Sequence, residues 1–322
     1  MGASMHGGFR PQSGGEAAKP DSYGEAPRGF RLPQGTRLGE VRVQVANLDR
    51  SVAFYQQVLG LRLLEHAGAD AVLGAQGNSS PIVRLHELTG ARPIPRSGRL
   101  GLFHLAILLP ARSDLGAFVR HLSDIDQPAG AGDHLVSEAF YLSDPDGLGI
   151  EVYADRPRHE WRRRGRELLM ATDPVDIPDL VRAAKDTPWT GAPAEAAIGH
   201  VHLHVGALAL ASGYYSEALG FDRTTRSYPG ALFFGADGYH HHVGTNMWAG
   251  AGAEPPAPHD AQLLEWTILL PHGDALRAAE ESLVAGGFDA ERLPADAGRA
   301  GIRSRDPWGT RVRLLEDAAR AS

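Results

Sequence analysis

Six of the chain's fifteen histidines fall in two short segments. His200, His202 and His204 alternate with Val201, Leu203 and Val205. A period of two sets three imidazoles on one face of a strand and three aliphatics on the other. The apolar face is expected to pack on the helix that follows, and the imidazole face to line a polar concavity. His240, His241 and His242 are consecutive, so on a strand His240 and His242 share a face and His241 opposes them. Imidazole suits Fe, Zn, Ni or Cu, and two histidines with one carboxylate and open positions form the ligand set of non-haem Fe(II) oxygen chemistry. A group titrating near neutrality also moves protons readily. Tyr239 adjoins this segment and offers a hydroxyl to a bound oxyanion. Trp248, before a Gly/Ala/Pro loop, either walls a ligand cavity or anchors that loop. The sequence has no phosphate loop, no Gly-x-Ser-x-Gly elbow and no cysteine, which excludes a thiolate site, a cysteine nucleophile and disulfides.

The elements that must hold these groups repeat. Around Val41, Val43 and Val45, LGEVRVQV alternates as a strand, and ANLDRSVAFYQQVLG follows as an amphipathic helix with Asp49 as N-cap and Gly60 at its end. The pattern returns without a gap at 198–221, where Gly39, Val41, Val45, Leu48, Tyr55, Leu59 and Gly60 all find identical partners. AILLP at 106–110 recurs as TILLP at 267–271, and DPDGLGIEVY at 144–153 recurs as DPWGTRVRLL at 306–315. Four units therefore begin near 38, 101, 197 and 262, each reading strand, helix, then two or three strands. The expected division is a disordered arm at 1–36, a first paired-module domain at 37–154, a linker with a helix near 177–184 at 155–196, and a second paired-module domain at 197–318.

Length and composition are those of an ordinary soluble chain of about two domains. Its 322 residues carry a net charge of −7, without the basic footprint of a nucleic-acid binder. There is no apolar run of membrane-spanning length and no signal-peptide core, so no membrane partner is expected and the cytoplasm is the default location. A homo-oligomer is compatible with the sequence.

Four such units, with FHLAILLP, YLSDPDGLGIEVYADRP, GHVHLHV and GYHHHVGTNMW in this order, resemble the vicinal oxygen chelate superfamily, which includes glyoxalase I, bleomycin-resistance proteins and extradiol dioxygenases. The resemblance covers about residues 38 to 317 and is to the catechol 2,3-dioxygenase-like branch. It implies an α+β fold of four βαβββ modules paired into two cupped mixed sheets, each able to hold a metal on its concave face. Carried over by position, it implies a metal set of His200, His242 and Glu265 in the second half, with Arg313 beside them. In the first half it implies a second set of Glu40, His104 and Glu151, with Arg84 at the remaining place. Glu265 as a ligand competes with Glu265 as a strand carboxylate paired with Arg313. A YHHH histidine resembles the acid/base histidine of ring-cleaving enzymes, so His240, His242 and Tyr239 are the catalytic candidates. His202, His204, Trp248 and Arg313 are the substrate-binding ones.

The leading expectation is a metal-dependent ring-cleaving dioxygenase. It takes a catecholic or related aromatic substrate and O2, with Fe(II) as the divalent metal ahead of Mn, Zn or Ni. The alternatives are a glyoxalase-like isomerase or lyase using the first-half carboxylates, and a non-catalytic drug-binding resistance protein.

Overall fold

The computed structural model describes residues 14–95, 97–296 and 299–317. A short strand, β1 (Glu16–Ala17), precedes four modules. The first comprises β2 (Arg37–Val45), α1 (Leu48–Gln57), β3 (Arg62–Ala67), β4 (Asp70–Gly74) and β5 (Pro81–Glu87). The second comprises β6 (Gly101–Leu109), α2 (Arg112–Asp124), β7 (Gly130–Asp133), β8 (Ser137–Ser143) and β9 (Gly149–Asp155). A connection with β10 (Arg162–Arg164), β11 (Glu167–Leu168) and α3 (Ile177–Ala183) leads to the third. That module has β12 (Ala197–His204), α4 (Leu208–Ala211) running into a π-helical turn (Ser212–Ala218), β13 (Asp222–Thr225), β14 (Ala231–Gly235) and β15 (Val243–Asn246). The fourth has β16 (Gln262–Leu270), α5 (Gly273–Ala285), β17 (Glu291–Asp296), β18 (Arg299–Arg305) and β19 (Arg311–Glu316).

Local sequence accounts for the repeated strand–helix start. Val41, Val43 and Val45 are fully buried on one side of β2, and Val201, Leu203 and Val205 hold the same places in the third module. The side chain of Asn47, not Asp49, caps α1 by accepting from the Arg50 N–H at 2.8 Å. Gly60 ends that turn at φ 68°. The two Asp-Pro turns are tied by their own carboxylates: Asp144 accepts from the N–H groups of Asp146 and Leu148, and Asp306 from those of Trp308 and Thr310.

The modules assemble into two eight-stranded mixed sheets, but the partners are not consecutive. One sheet runs β13-β14-β15-β12-β6-β9-β8-β7 and joins the second module to the third. The other runs β17-β18-β19-β16-β2-β5-β4-β3 and joins the fourth to the first. The seams are antiparallel pairings of module-opening strands, β6 with β12 and β2 with β16. The expected domains at 37–154 and 197–318 therefore each contribute half of both sheets. Each opening strand carries the same alternation, so periodicity leaves its neighbour unspecified, and the usual adjacency of consecutive units does not hold here. One continuous core draws on both sheets and on α1, α2 and α5.

The segment before the first module also departs from expectation. Residues 14–36 are packed rather than disordered, whereas residues 1–13 lie outside the described part. β1 pairs with β10, Tyr23 is buried and donates to the Gly238 carbonyl at 2.6 Å, and Arg31 pairs with the Asp222 carboxylate. No described helix is long and apolar enough to cross a membrane.

Candidate metal centre

The sheet of the second and third modules brings three strands side by side through Ala106. In register, Ala106 of β6 lies opposite Glu151 of β9 and opposite His200 of β12. His104 stands two residues back on β6 and so points to the same face. A small, fully buried side chain at 106 leaves a floor around which two imidazoles and a carboxylate converge. His200 Nε2 is 3.3 Å from His104 Nε2 and 3.1 Å from Glu151 Oε2, and His104 Nε2 is 3.0 Å from the same oxygen. Three donors about 2.1 Å from one ion and mutually at right angles would stand about 3.0 Å apart, so this triangle matches three adjacent ligand positions.

Electrostatics point the same way. All three residues are at most 5 % exposed. Burial pushes the His104 imidazole toward its neutral form. Burial would also raise the Glu151 carboxyl, but His200 and His104 outweigh it and hold the group well below the usual carboxylate range. This leaves a buried carboxylate beside two imidazole nitrogens, a donor set that suits a divalent cation. These three residues thus form a candidate divalent metal site. His104 and His200 each also keep a buried Nδ1 without a hydrogen-bond partner among the described residues.

The neighbours of this triangle include groups that periodicity did not single out. Tyr141 lies opposite Glu151 on β8, and its hydroxyl bonds His134 Nε2. His134 Nδ1 faces the Ala171 carbonyl at 2.7 Å, so Nδ1 carries the proton and the tyrosine donates. Burial and the Glu151 charge push the Tyr141 hydroxyl well above its usual range. His241 packs its ring 4.2 Å from that of His200, and burial lowers its pKa well below the ordinary value. Only the register of β8 with β9 reveals Tyr141, and only the path of the chain before β15 reveals His241.

The expected sets are redistributed by the sheet pairing. The structure places His200 beside His104 and Glu151, which belong to the set expected in the other half. Residues 239–242 form an irregular turn ahead of β15, so strand alternation does not apply there. His241 turns to His200. His242 instead accepts from the Ala236 N–H at 3.2 Å and packs on Phe221, with its pKa pushed down to about 3 by burial. Tyr239 and His240 bind Asp155 on the far side of His241. Glu265, Arg313, Glu40 and Arg84 lie on the other sheet, where Arg313 reaches Glu40 at 2.7 Å and Arg303 reaches Glu265 at 2.6 Å. Arg84 meets Glu40 at 3.3 Å. By repeat position, Glu40 stands for His200, Glu265 for His104 and Arg313 for Glu151, which turns a donor set into a salt-bridged one. Arg84 corresponds to Gly244, since Arg42 pairs with Arg84 as His202 pairs with Gly244.

Of the expected substrate-contact residues, three are near the triangle. His202 lies opposite His104, and its ring meets those of Phe103, Phe233 and Trp248. His204 is one step further, with Nδ1 2.6 Å from Asn246 Oδ1. Arg313 is excluded by its place in the other sheet. A charged surface cavity of about 660 Å³, lined by Arg112, Asp133, Glu138, Asp155 and Arg156 among others, meets this region only at Asp155.

Paired βαβββ modules with a buried two-histidine, one-glutamate set on one sheet define a class of metal-site proteins. The chain belongs to the Glyoxalase/Bleomycin resistance protein/Dioxygenase superfamily, whose model matches residues 37–152. It is homologous to the oxidoreductase catechol-2,3-dioxygenase of Bacillus subtilis (strain 168), with 42 % identity over 264 residues, 81 % of this chain and 92 % of that protein. Among solved structures, a Bacillus subtilis protein aligns with TM-score 0.61 at 13 % identity, covering 89 % of this chain and 87 % of its own. Glyoxalase I from Zea mays aligns with TM-score 0.52 at 17 % identity, covering 88 % and 92 %. At those identities the two structures speak to the fold alone.

Proposed function

We propose that the chain is a ring-cleaving dioxygenase that holds Fe(II) between His104, Glu151 and His200 and acts on a catechol or a related aromatic diol with O2. The observation that carries this reading is the buried triangle of two imidazole nitrogens and one carboxylate oxygen, in a chain homologous to catechol-2,3-dioxygenase. The ion, when bound, supplies Lewis acidity toward adjacent ring hydroxyls and redox exchange with O2. The chain's own residues do the rest. Phe103, Phe233 and Trp248 present aromatic faces and edges suited to a planar ring. His202 and His204 lie along this wall. His241, held neutral by burial, accepts a proton from a substrate hydroxyl at Nε2 and returns it later. Tyr141, kept protonated, gives its one hydroxyl proton to His134 and so fixes the wall beside Glu151.

A glyoxalase-type isomerase built on Glu40, His104 and Glu151 loses its first ligand to the other sheet. The deciding experiment is O2 uptake by protein purified anaerobically and loaded with Fe(II). One O2 consumed per catechol lost, with ring opening, is expected. Full iron occupancy without O2 uptake on any catechol would overturn the proposal.

A further inference from the structure

We propose that Asp155 and His240 are positioning residues that fix His241 as the tautomer protonated on Nδ1, so that its Nε2 is left bare to accept a proton. The inference rests on the role given to His241 above, but its geometry is independent of that role. Asp155 is the last residue of β9, four beyond Glu151, and its Oδ1 lies 2.8 Å from His240 Nε2. A carboxylate only accepts, so His240 carries a proton on Nε2. On this proposal His240 is neutral, and its Nδ1 is then bare. His240 Nδ1 and His241 Nδ1 are 2.7 Å apart, a contact in which one nitrogen must donate. His240 has nothing to donate there, so His241 does. Its Nε2 is left with a lone pair, and that atom has no hydrogen-bond partner among the described residues.

The chain of bonds is held in place. His240 is fully buried against Tyr239 and Trp161, and its carbonyl accepts from the Thr224 hydroxyl at 2.6 Å. The same Asp155 oxygen accepts from the Tyr239 hydroxyl at 3.2 Å. Tyr239 oxygen therefore accepts from Tyr153 at 2.7 Å, and the Tyr153 ring lies tilted 4.9 Å from that of His200. One carboxylate thus orients both the histidine behind His241 and the tyrosine pair behind His200. Without it, His240 could take the other tautomer, His241 would accept at Nδ1, and its own proton would move to Nε2, where it blocks acceptance.

The test is nitrogen–proton correlation NMR of the histidine rings in the full chain loaded with zinc, a diamagnetic ion. His241 is expected to show a protonated Nδ1 and a bare Nε2 in the wild-type protein. Asp155→Leu is expected to shift the proton to Nε2 or average the two. With iron loaded, the same variant should lose about 100-fold in kcat on catechol, while KM stays within about threefold and iron content is unchanged. Asp155→Glu should recover most of kcat. A wild-type His241 protonated on Nε2 would overturn the inference, and this reading needs no variant to fold. An Asp155→Leu protein with the wild-type tautomer would also overturn it. The expected tautomers in a protein inactive on every catechol would leave this inference standing and remove the proposed function instead.

Discussion

At the scale of single residues, the candidate metal site has a small side chain, Ala106, at the centre of its three donors. Ala106 sits in register between Glu151 and His200 and two residues from His104 on the same face. A branched side chain there would occupy the point on which the three donors converge. Ala106→Leu is expected to reduce bound iron to below about a tenth of wild type, with the far-UV spectrum retained; elemental analysis of the purified variant decides this. Gly199, the residue before His200, is similarly constrained, since a Cβ there would lie 1.8 Å from the Tyr153 hydroxyl. His200 was legible from alternation alone. His104 and Glu151 were legible as donors, but not as its partners, because side-chain periodicity says which face a residue takes and not which strand lies beside it. His241 was read as facing away, because four residues that the alternation rule treats as strand are a turn.

The buried imidazoles also set a pH dependence at this scale. Burial lowers the pKa of His104, His202, His241 and His242 in the folded chain, while each would titrate near its ordinary value when unfolded. Below about pH 6.5 the unfolded chain takes up protons that the folded chain refuses, so stability falls with pH, by up to about 1.4 kcal/mol per unit for each group. Glu151, whose pKa is depressed, adds its own loss only at lower pH, below its ordinary range. The Tm of metal-free protein is therefore expected to be level above pH 7.5 and to fall steeply from pH 6.5 to 5.5. A flat profile through pH 5.5 would show that these rings are not buried neutral.

At the scale of elements, the segment before the first module braces the wall behind the site. β1 pairs with β10, the Glu25 carboxylate meets Arg223 at 3.3 Å, and Tyr23 closes onto Gly238 in the turn that leads to Tyr239 and His240. Tyr23, Trp161, Phe233 and Tyr239 share one small apolar cluster. Its Gly, Pro and Ser content gave no periodicity to read, and the few apolar anchors were too scattered to register as an element. A chain that starts at Arg31 should melt several degrees lower and lose iron faster to a chelator. Melting and chelation rates equal to those of the full chain would show that the segment does not brace the site. The strand–helix starts, the Asp-Pro turns and α3 were readable because each rests on local chemistry: alternation, a backbone-binding carboxylate, a cap.

At the scale of the molecule, a repeated fold carries two unlike cups. One gathers two histidines and a glutamate, and the other places Glu40, Glu265 and Arg313 at the corresponding positions, with Arg84 beside them. The second is largely buried and internally paired, its side chains 12–32 % exposed, so each carboxylate already has an arginine counter-charge. Glu40→Gln and Glu265→Gln are each expected to leave iron at about one per chain and the Tm within a few degrees. Loss of iron in either would mean that the second cup binds metal after all. The number of modules and their fold were readable from the repeats, and the choice of partners was not. That choice is made by contacts between residues about 90 to 100 apart at one seam and more than 200 apart at the other.

The nesting of one module pair inside the other has a consequence for the order in which the polypeptide is made. The sheet with the candidate metal site is encoded by one uninterrupted stretch, from Gly101 to Asn246, and all its strands precede the last module. The first module leaves the ribosome earliest yet finishes last, with the edge of β2 open until β16 arrives. An open edge of that kind is a template for errant pairing with other nascent chains. Truncated products ending before Gln262 should therefore be the aggregation-prone species of this protein.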